Sequence, residues 1–253
     1  MSASTPILRA EHISLGTSES ALLRDVTLDL PNASMSVLAG AVGAGKSLLA
    51  RILAGLLEPN SGNVYFNGTP IKHAHARGPG GIAIVFQDAS AHLIGSTVEE
   101  DVAIGVRRTR RSREECYRAT RAALVRCGIS HLAQRPISQL SGGEARLTAF
   151  ASALALEPNV FICDEPFSNL DWNGVSRVLH VLVNTVHAGA AVLVVTHELE
   201  KVLAHARRLF LLEEGKVRLS VDLPAGLNDS ARADLEAAGV RARGRIDTMS
   251  WLR

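Results

Sequence analysis

No stretch of this 253-residue sequence reaches the roughly 18 to 20 consecutive apolar residues that a bilayer-spanning helix needs. Any role at a membrane is therefore expected to run through a partner. The opening residues, MSASTPILRAEH, lack a basic start followed by an apolar run, so no secretory signal is expected. The three cysteines, Cys116, Cys127 and Cys163, form no CxxC pair and leave an odd count, which suits a reducing cytosol. A net charge of +2 is too small to argue, by itself, for nucleic acid or a membrane surface. Internal repeats and low-complexity tracts are absent. What is present is apolar mass: 47% hydrophobic residues against 21% charged suits a globular chain with a sizeable core. The length suits one large domain, or a core with a subdomain.

The order of patterns predicts an α/β fold. LLRDVTLDL alternates apolar and polar residues as a half-buried antiparallel strand does. Leu48, Leu49, Ile52, Leu53, Leu56 and Leu57 fall at helical spacing, and EPNSG ends that helix. GNVYFNG reads as a strand between turns, and GIAIVFQ, ending at Gln87, as a buried one. From about Asp88 to Pro158 the pattern turns helical and more charged. NVFICDEP and AAVLVVTHE are near-continuous apolar runs, which suit parallel strands covered on both faces. A last strand pair flanks Gly215, and the tail after about Asp222 yields no clear reading. The expectation is an α/β core with a helical insertion.

Before the leucine-rich helix stands GAVGAGKS, Gly40 to Ser47, preceded by a strand-like SMSVLA. It fits G-x-x-x-x-G-K-[ST] in strand–loop–helix context. Gly40, Gly43 and Gly45 let backbone N–H groups turn inward toward phosphate oxygens, and the helix N-terminus adds unpaired donors. Lys46 would neutralise outer phosphates and the Ser47 hydroxyl would hold Mg²⁺. A nucleoside triphosphate is the expected ligand. A glycine-rich turn into a helix is the plainer alternative. A dinucleotide fingerprint is disfavoured, because its third glycine would fall at Leu48.

VFICDEP places Asp164 and Glu165 at the end of a buried strand, where open α/β sheets bind ligands. Asp164 is a candidate for Mg²⁺ and Glu165 for polarising a water, although acids also close strands at turns. Gln87 and His197 end two further strands, where an amide could meet metal and water and an imidazole could meet a terminal phosphate. About twenty residues before the acids, LSGGE has the capping-box spacing of Ser141 and Glu144, so a helix with two glycines in its first turn is expected. A bare helix N-terminus is again a phosphate site.

These pieces together resemble the nucleotide-binding subunits of ATP-binding cassette (ABC) transporters. The matching segments are GAVGAGKS (Walker A), Gln87 (Q-loop), LSGGE (signature), VFICDEP (Walker B), SNLD (D-loop, Ser168 to Asp171) and His197 (H-loop), in the family's order. The resemblance covers about residues 7 to 220. It implies a P-loop NTPase core with a mostly parallel sheet, an N-terminal antiparallel β subdomain and an inserted α-helical subdomain. Residues 1–88 and 158–220 would form the core, 89–157 the insertion, and 221–253 an unassigned extension. It implies an ATPase that uses ATP and Mg²⁺. The nucleotide would be held by Gly40, Ala41, Val42, Gly43, Ala44, Gly45, Lys46, Ser47 and Leu48, with Ser141, Gly142 and Gly143 contributed by a second ABC ATPase subunit. Glu165 would be the general base, with Gln87 and His197 catalytic beside it. The metal set would be Ser47, Gln87 and Asp164, and Asp171 would link the two sites of a head-to-tail dimer. A transmembrane transporter subunit is the implied partner, at the cytoplasmic face of the membrane, and no direct nucleic-acid contact is expected.

LIGSTVEEDVAIG (Leu93 to Gly105) is similar to a segment of the ATPases of energy-coupling factor (ECF) importers, which take up vitamins and transition-metal ions. Thr97 and Glu100 there have capping-box spacing. The chain departs from the pattern in three places. Thr17 stands where an aromatic residue stacks on adenine, His12 is an unaligned substitute, and Glu144 stands where Gln is commonest. DASAHL also replaces an Asn-Pro-containing turn. The run RRTRRSREECYRATR (Arg107 to Arg121) reads first as a solvated, ion-paired face; anionic headgroups and nucleic acid are the rival contacts. Two other functions stand beside the importer: a soluble ABC ATPase acting on nucleic acid or ribosomes, and a P-loop kinase or GTPase, which would leave LSGGE unexplained.

Overall fold

The computed structural model describes residues 6–17, 21–71, 78–88, 90–109, 111–223 and 229–237. In chain order the strands are β1 (Leu8–Gly16), β2 (Ala21–Leu30), β3 (Met35–Ala39), β4 (Ser61–Phe66), β5 (Thr69–Pro70), β6 (Ile82–Val85), β7 (Val160–Asp164), β8 (Ala191–Val195), β9 (Arg208–Glu213) and β10 (Lys216–Asp222). The helices are α1 (Lys46–Leu53), α2 (Val98–Arg107), α3 (Arg113–Arg126), α4 (Gly142–Leu154), α5 (Trp172–His187) and α6 (Asp229–Ala237). A four-stranded antiparallel sheet has the order β2-β1-β4-β5. The six-stranded sheet has the order β10-β9-β3-β8-β7-β6, parallel throughout except for β10. The expected α/β class, with its antiparallel part and its helices between β6 and β7, is the observed one.

Period-two geometry explains why β7 and β8 read as near-continuous apolar runs. Every residue of these two strands and of β3 is buried, and neighbours point to opposite faces. Met35, Val37 and Ala39 join Phe161 and Cys163 in a core shared with α2 to α5. Leu38, Val160 and Ile162 join the core beneath α1, β1 and β2. The sheet is thereby clamped from both sides, and its strand ends are held in fixed relation.

Helix α1 ends at Leu53, short of the expected Leu57. Gly55 adopts φ +66°, its N–H bonds the Ile52 carbonyl at 2.9 Å, and Leu56 N–H bonds the Arg51 carbonyl at 2.8 Å. That paired closure stops the helix before EPNSG. The Thr97 cap forms, with Oγ1 accepting from Glu100 N–H at 3.3 Å, but Glu100 returns its carboxylate to Ser96 N–H rather than to Thr97. At Ser141 and Glu144 both halves of the box are present.

The tail that gave no clear reading contains α6. Ala231 and Leu235, one turn apart, are buried in the main core. In the arginine run, Arg107 ends α2, Ser112 caps α3 and Arg111 pairs with Glu157. All three cysteines are free and buried. Burial pushes the Cys127 thiol up to about 12 and raises the Cys163 thiol well above its ordinary value. No helix among the described residues is long and apolar enough to cross a membrane.

Candidate active site at the strand ends

The loop from Gly40 to Ser47 leaves β3 near the middle of the parallel sheet and opens α1. A side chain at Gly40 would sit 2.2 Å from the Leu212 carbonyl oxygen. At Gly45, which caps α1 with φ +98°, it would sit 2.9 Å from Leu23. Gly43, with φ +86°, faces open space. So two glycines are required by the neighbouring strands, and the third leaves the loop bare toward solvent. Ala44 N–H closes a turn on the Ala41 carbonyl at 3.2 Å. Val42 stands exposed at the loop's tip, and Leu48 lies half-buried in the first turn of α1.

Lys46 folds back over this loop. Its Nζ donates to the carbonyls of Gly40 at 2.8 Å and Ala41 at 2.9 Å. Burial lowers its pKa, while the charges of Glu165 and Asp164 oppose that shift. Asp164, the last residue of β7, is buried. Its carboxyl is pushed up by burial first; a hydrogen bond from Ser47 pulls it down, and the charge of Glu165 pushes it up again. Its Oδ1 is buried without a hydrogen-bond partner. An acceptor oxygen left this way beside a hydroxyl suits a hard cation.

Glu165 follows with φ +46°, a region that costs a non-glycine residue about 1–2 kcal/mol. Several bonds hold it there. Its N–H donates to the Val195 carbonyl at 2.8 Å. Its carboxylate meets His197 Nδ1 at 2.9 Å through Oε1, and accepts from Thr196 Oγ1 at 3.2 Å through Oε2. Thr196 is fully buried; it accepts from Glu198 N–H at 3.0 Å and donates its own N–H to the Leu38 carbonyl at 3.1 Å. The ends of β3, β8 and β7, adjacent in the sheet, are knitted together around one carboxylate.

Thus Lys46, Ser47, Asp164, Glu165 and His197 come together beside the segment of residues 40–48. The predicted residues outside these lie elsewhere. Gln87 is exposed, two residues past the end of β6, and lines a cleft of about 430 Å³ with Asp88, Gly142, Arg146, Ser168, Asn169 and Leu170. Ser141 caps α4, accepting from Glu144 N–H at 3.3 Å, and Glu144 also pairs with Arg135 at 2.9 Å. Beyond Gly142 there is open space, and Gly143 meets only Leu170. Asp171 caps α5, accepting from Gly174 N–H at 2.8 Å. His12 bonds Asp25 through Nδ1 at 2.7 Å, and Thr17 is exposed at the end of β1.

Two residues escaped the sequence reading. Thr196 had no motif of its own. Arg146 is buried on α4, and its pKa is lowered by burial, against the raising charges of Asp88 and Cys163. A signal for it existed: one arginine inside the apolar run ARLTAFASAL is a charge the core must accommodate.

Comparison with known proteins identifies the relatives of this chain. The profile described as "ABC transporter" matches residues 23–168. The cobalt import ATP-binding protein CbiO of Rhodobacter capsulatus is 35% identical over 96% of this chain and 88% of its own length. The energy-coupling factor transporter ATP-binding protein EcfA2 of Symbiobacterium thermophilum is 34% identical over 91% and 81%. Among solved structures, cbiO1 of Clostridium perfringens, part of the ABC transporter complex cbiONQ, superimposes with a TM-score of 0.79. It is 28% identical, with 94% of this chain and 96% of that one covered. A family profile matched along more than half of the sequence, and relatives above 30% identity along nearly all of it, leave one conclusion: the chain belongs to the ABC transporter family, as an ATP-binding ATPase subunit.

Proposed function

We propose that this chain is the ATP-hydrolysing subunit of an energy-coupling-factor-type importer, driving uptake of a vitamin or a metal ion through a membrane partner. The observation that carries the proposal is the convergence of Lys46, Ser47, Asp164, Glu165 and His197 at the ends of three adjacent parallel strands. ATP would lay its phosphates along the Gly40–Ser47 amides and the start of α1, and Leu48 N–H would extend that row. Lys46 would exchange the Gly40 and Ala41 carbonyls for phosphate oxygens. Ser47 and Asp164 would hold Mg²⁺, with Gln87 supplying an amide, and the bound ion would offset phosphate charge. Glu165 would take the proton of the attacking water. For that His197 would turn from Glu165 to the γ-phosphate and free Oε1, while Thr196 keeps Oε2 in place.

Hydrolysis would also need a second ABC subunit, identical or different. Its Ser141, Gly142 and Gly143 would close on the γ-phosphate, and Asp171 would sit where the two sites meet. The helices inserted between β6 and β7 are short, at most the 14 residues of α3. That favours docking beneath a membrane subunit, at the cytoplasmic face, over the long coiled insertions of nucleic-acid-acting relatives. The test is purification of the tagged chain from membranes, followed by vesicle reconstitution with the proteins that accompany it. ATP-dependent uptake of a vitamin or metal ion is expected; a chain that brings down no membrane protein would overturn the importer assignment.

A further inference from the structure

Arg146 is a buried guanidinium whose hydrogen bonds go to neutral oxygens of three residues on two segments. Nη1 donates to the carbonyl of Glu165 at 3.0 Å and to Ser168 Oγ at 3.3 Å, and Nη2 donates to the carbonyl of Gln87 at 3.0 Å. Ser168 Oγ in turn donates to the same Glu165 carbonyl at 2.9 Å. The peptide after the left-handed residue Glu165 is thus gripped by Arg146 and Ser168 together. A core of this kind is ordinarily served as well, or better, by an apolar side chain. The bonds this arginine makes are therefore informative: each ends on a segment that bears on the strand-end site or its flank.

We infer that Arg146 is a positioning residue for hydrolysis, setting the peptide that aims the Glu165 carboxylate and tying that aim to the stance of α4 and of the Gln87 segment. It acts through Glu165, and so rests on the reading of Glu165 as the base. Its place on α4, one turn past Ser141, has a consequence. A shift of the helical insertion, whether from a membrane partner at Gln87 or from a nucleotide held against Gly142, moves the guanidinium and with it the base of the same chain.

The test uses the full chain with Arg146→Lys and Ser168→Ala, each read for kcat, KM for ATP and thermal unfolding. Lysine keeps the charge but cannot bond the Gln87 and Glu165 carbonyls as a fork. Misplacing a base by a fraction of an ångström predicts a kcat loss of at least about tenfold for Arg146→Lys, with KM unmoved. Ser168→Ala, which leaves Arg146 in place, is expected to lose less, in the same direction. Methylguanidinium added to Arg146→Ala should restore part of kcat. In a Glu165→Gln background, Arg146→Lys should cost nothing more, because the group it aims is gone. An Arg146→Lys chain that folds and keeps wild-type kcat overturns the inference, as does a loss that adds in full to that of Glu165→Gln. If Glu165→Gln alone keeps wild-type kcat, the base assignment itself has failed, a different result from either.

Discussion

The ends of β3, β8 and β7 and the start of α4 are both proposed to meet phosphate, yet they are finished to different degrees. At the strand ends, Lys46, Glu165, Thr196 and His197 bond one another or the loop, and the acids lie buried. At α4, Ser141 is engaged only in its own cap, and a side chain on Gly142 would meet open space. Buried polar groups must find partners within the fold, whereas a solvated helix start can wait for one. On the proposed reading the contrast teaches that one chain holds most of one site and a fragment of another, which a second polypeptide would bring to the phosphates.

Mixing two disabled chains is the strongest way to break that contrast. Lys46→Ala removes the loop cation but leaves α4 intact. Gly143→Asp puts a carboxylate where the phosphate would sit, and its Cβ has room, with Leu170 no nearer than 3.7 Å. Each variant alone should fall to about a hundredth of wild-type hydrolysis or less, the scale of removing a charge-stabilising contact. Together they should recover about a quarter, because half of randomly reassorted two-fold dimers are mixed and each mixed dimer has one intact composite site. Phosphate release from the equimolar mixture reads this out. A mixture no more active than its parts would show that the strand-end site works without the fragment on α4.

A smaller effect sharpens the finished side. Thr196→Val keeps the buried shape and removes the hydroxyl between Glu165 and Glu198 N–H. A hydrogen bond to a charged group is worth about 1.5–3 kcal/mol, so kcat at saturating ATP should fall at least about tenfold with KM unmoved. Thr196→Ser should retain most of the rate. An unchanged kcat in a folded Thr196→Val chain would mean that Oε2 needs no fixed donor.

The same contrast explains what was legible in the sequence. Gly40, Gly45 and the strand-ending acids stand out because backbone geometry demands particular residue types at fixed spacing. The parallel strands stand out because burial on both faces leaves few polar positions. Arg146 and Thr196 act on acceptors 19 and 31 residues away, reaching Glu165 through the fold, and no local period encodes such a partner. Helix α6 was invisible because, among its described residues, Ala231 and Leu235 are the buried apolar positions, too few for a helical stripe. The end of α1 was misplaced because its leucines keep their spacing past Gly55, and only the left-handed closure there stops the helix.

The smallest predicted effect lies at the base end of the nucleotide, where the degree of finish drops again. Gly16 pairs with Ala21, and Leu23, two residues on, packs against Gly45, so the end of β1 lies beside the phosphate loop. The residue there is Thr17, which offers no ring, and His12 has its Nδ1 on Asp25. Phosphate contacts do not distinguish bases, so ATP and GTP should bind this chain with comparable dissociation constants. Thr17→Tyr should then tighten ATP about five- to tenfold, the lower part of what one aromatic stack on a base contributes. Calorimetry with both nucleotides on both chains separates the cases. If the unaltered chain already prefers ATP strongly, base recognition resides in residues other than Thr17, and the base end is as complete as the strand ends.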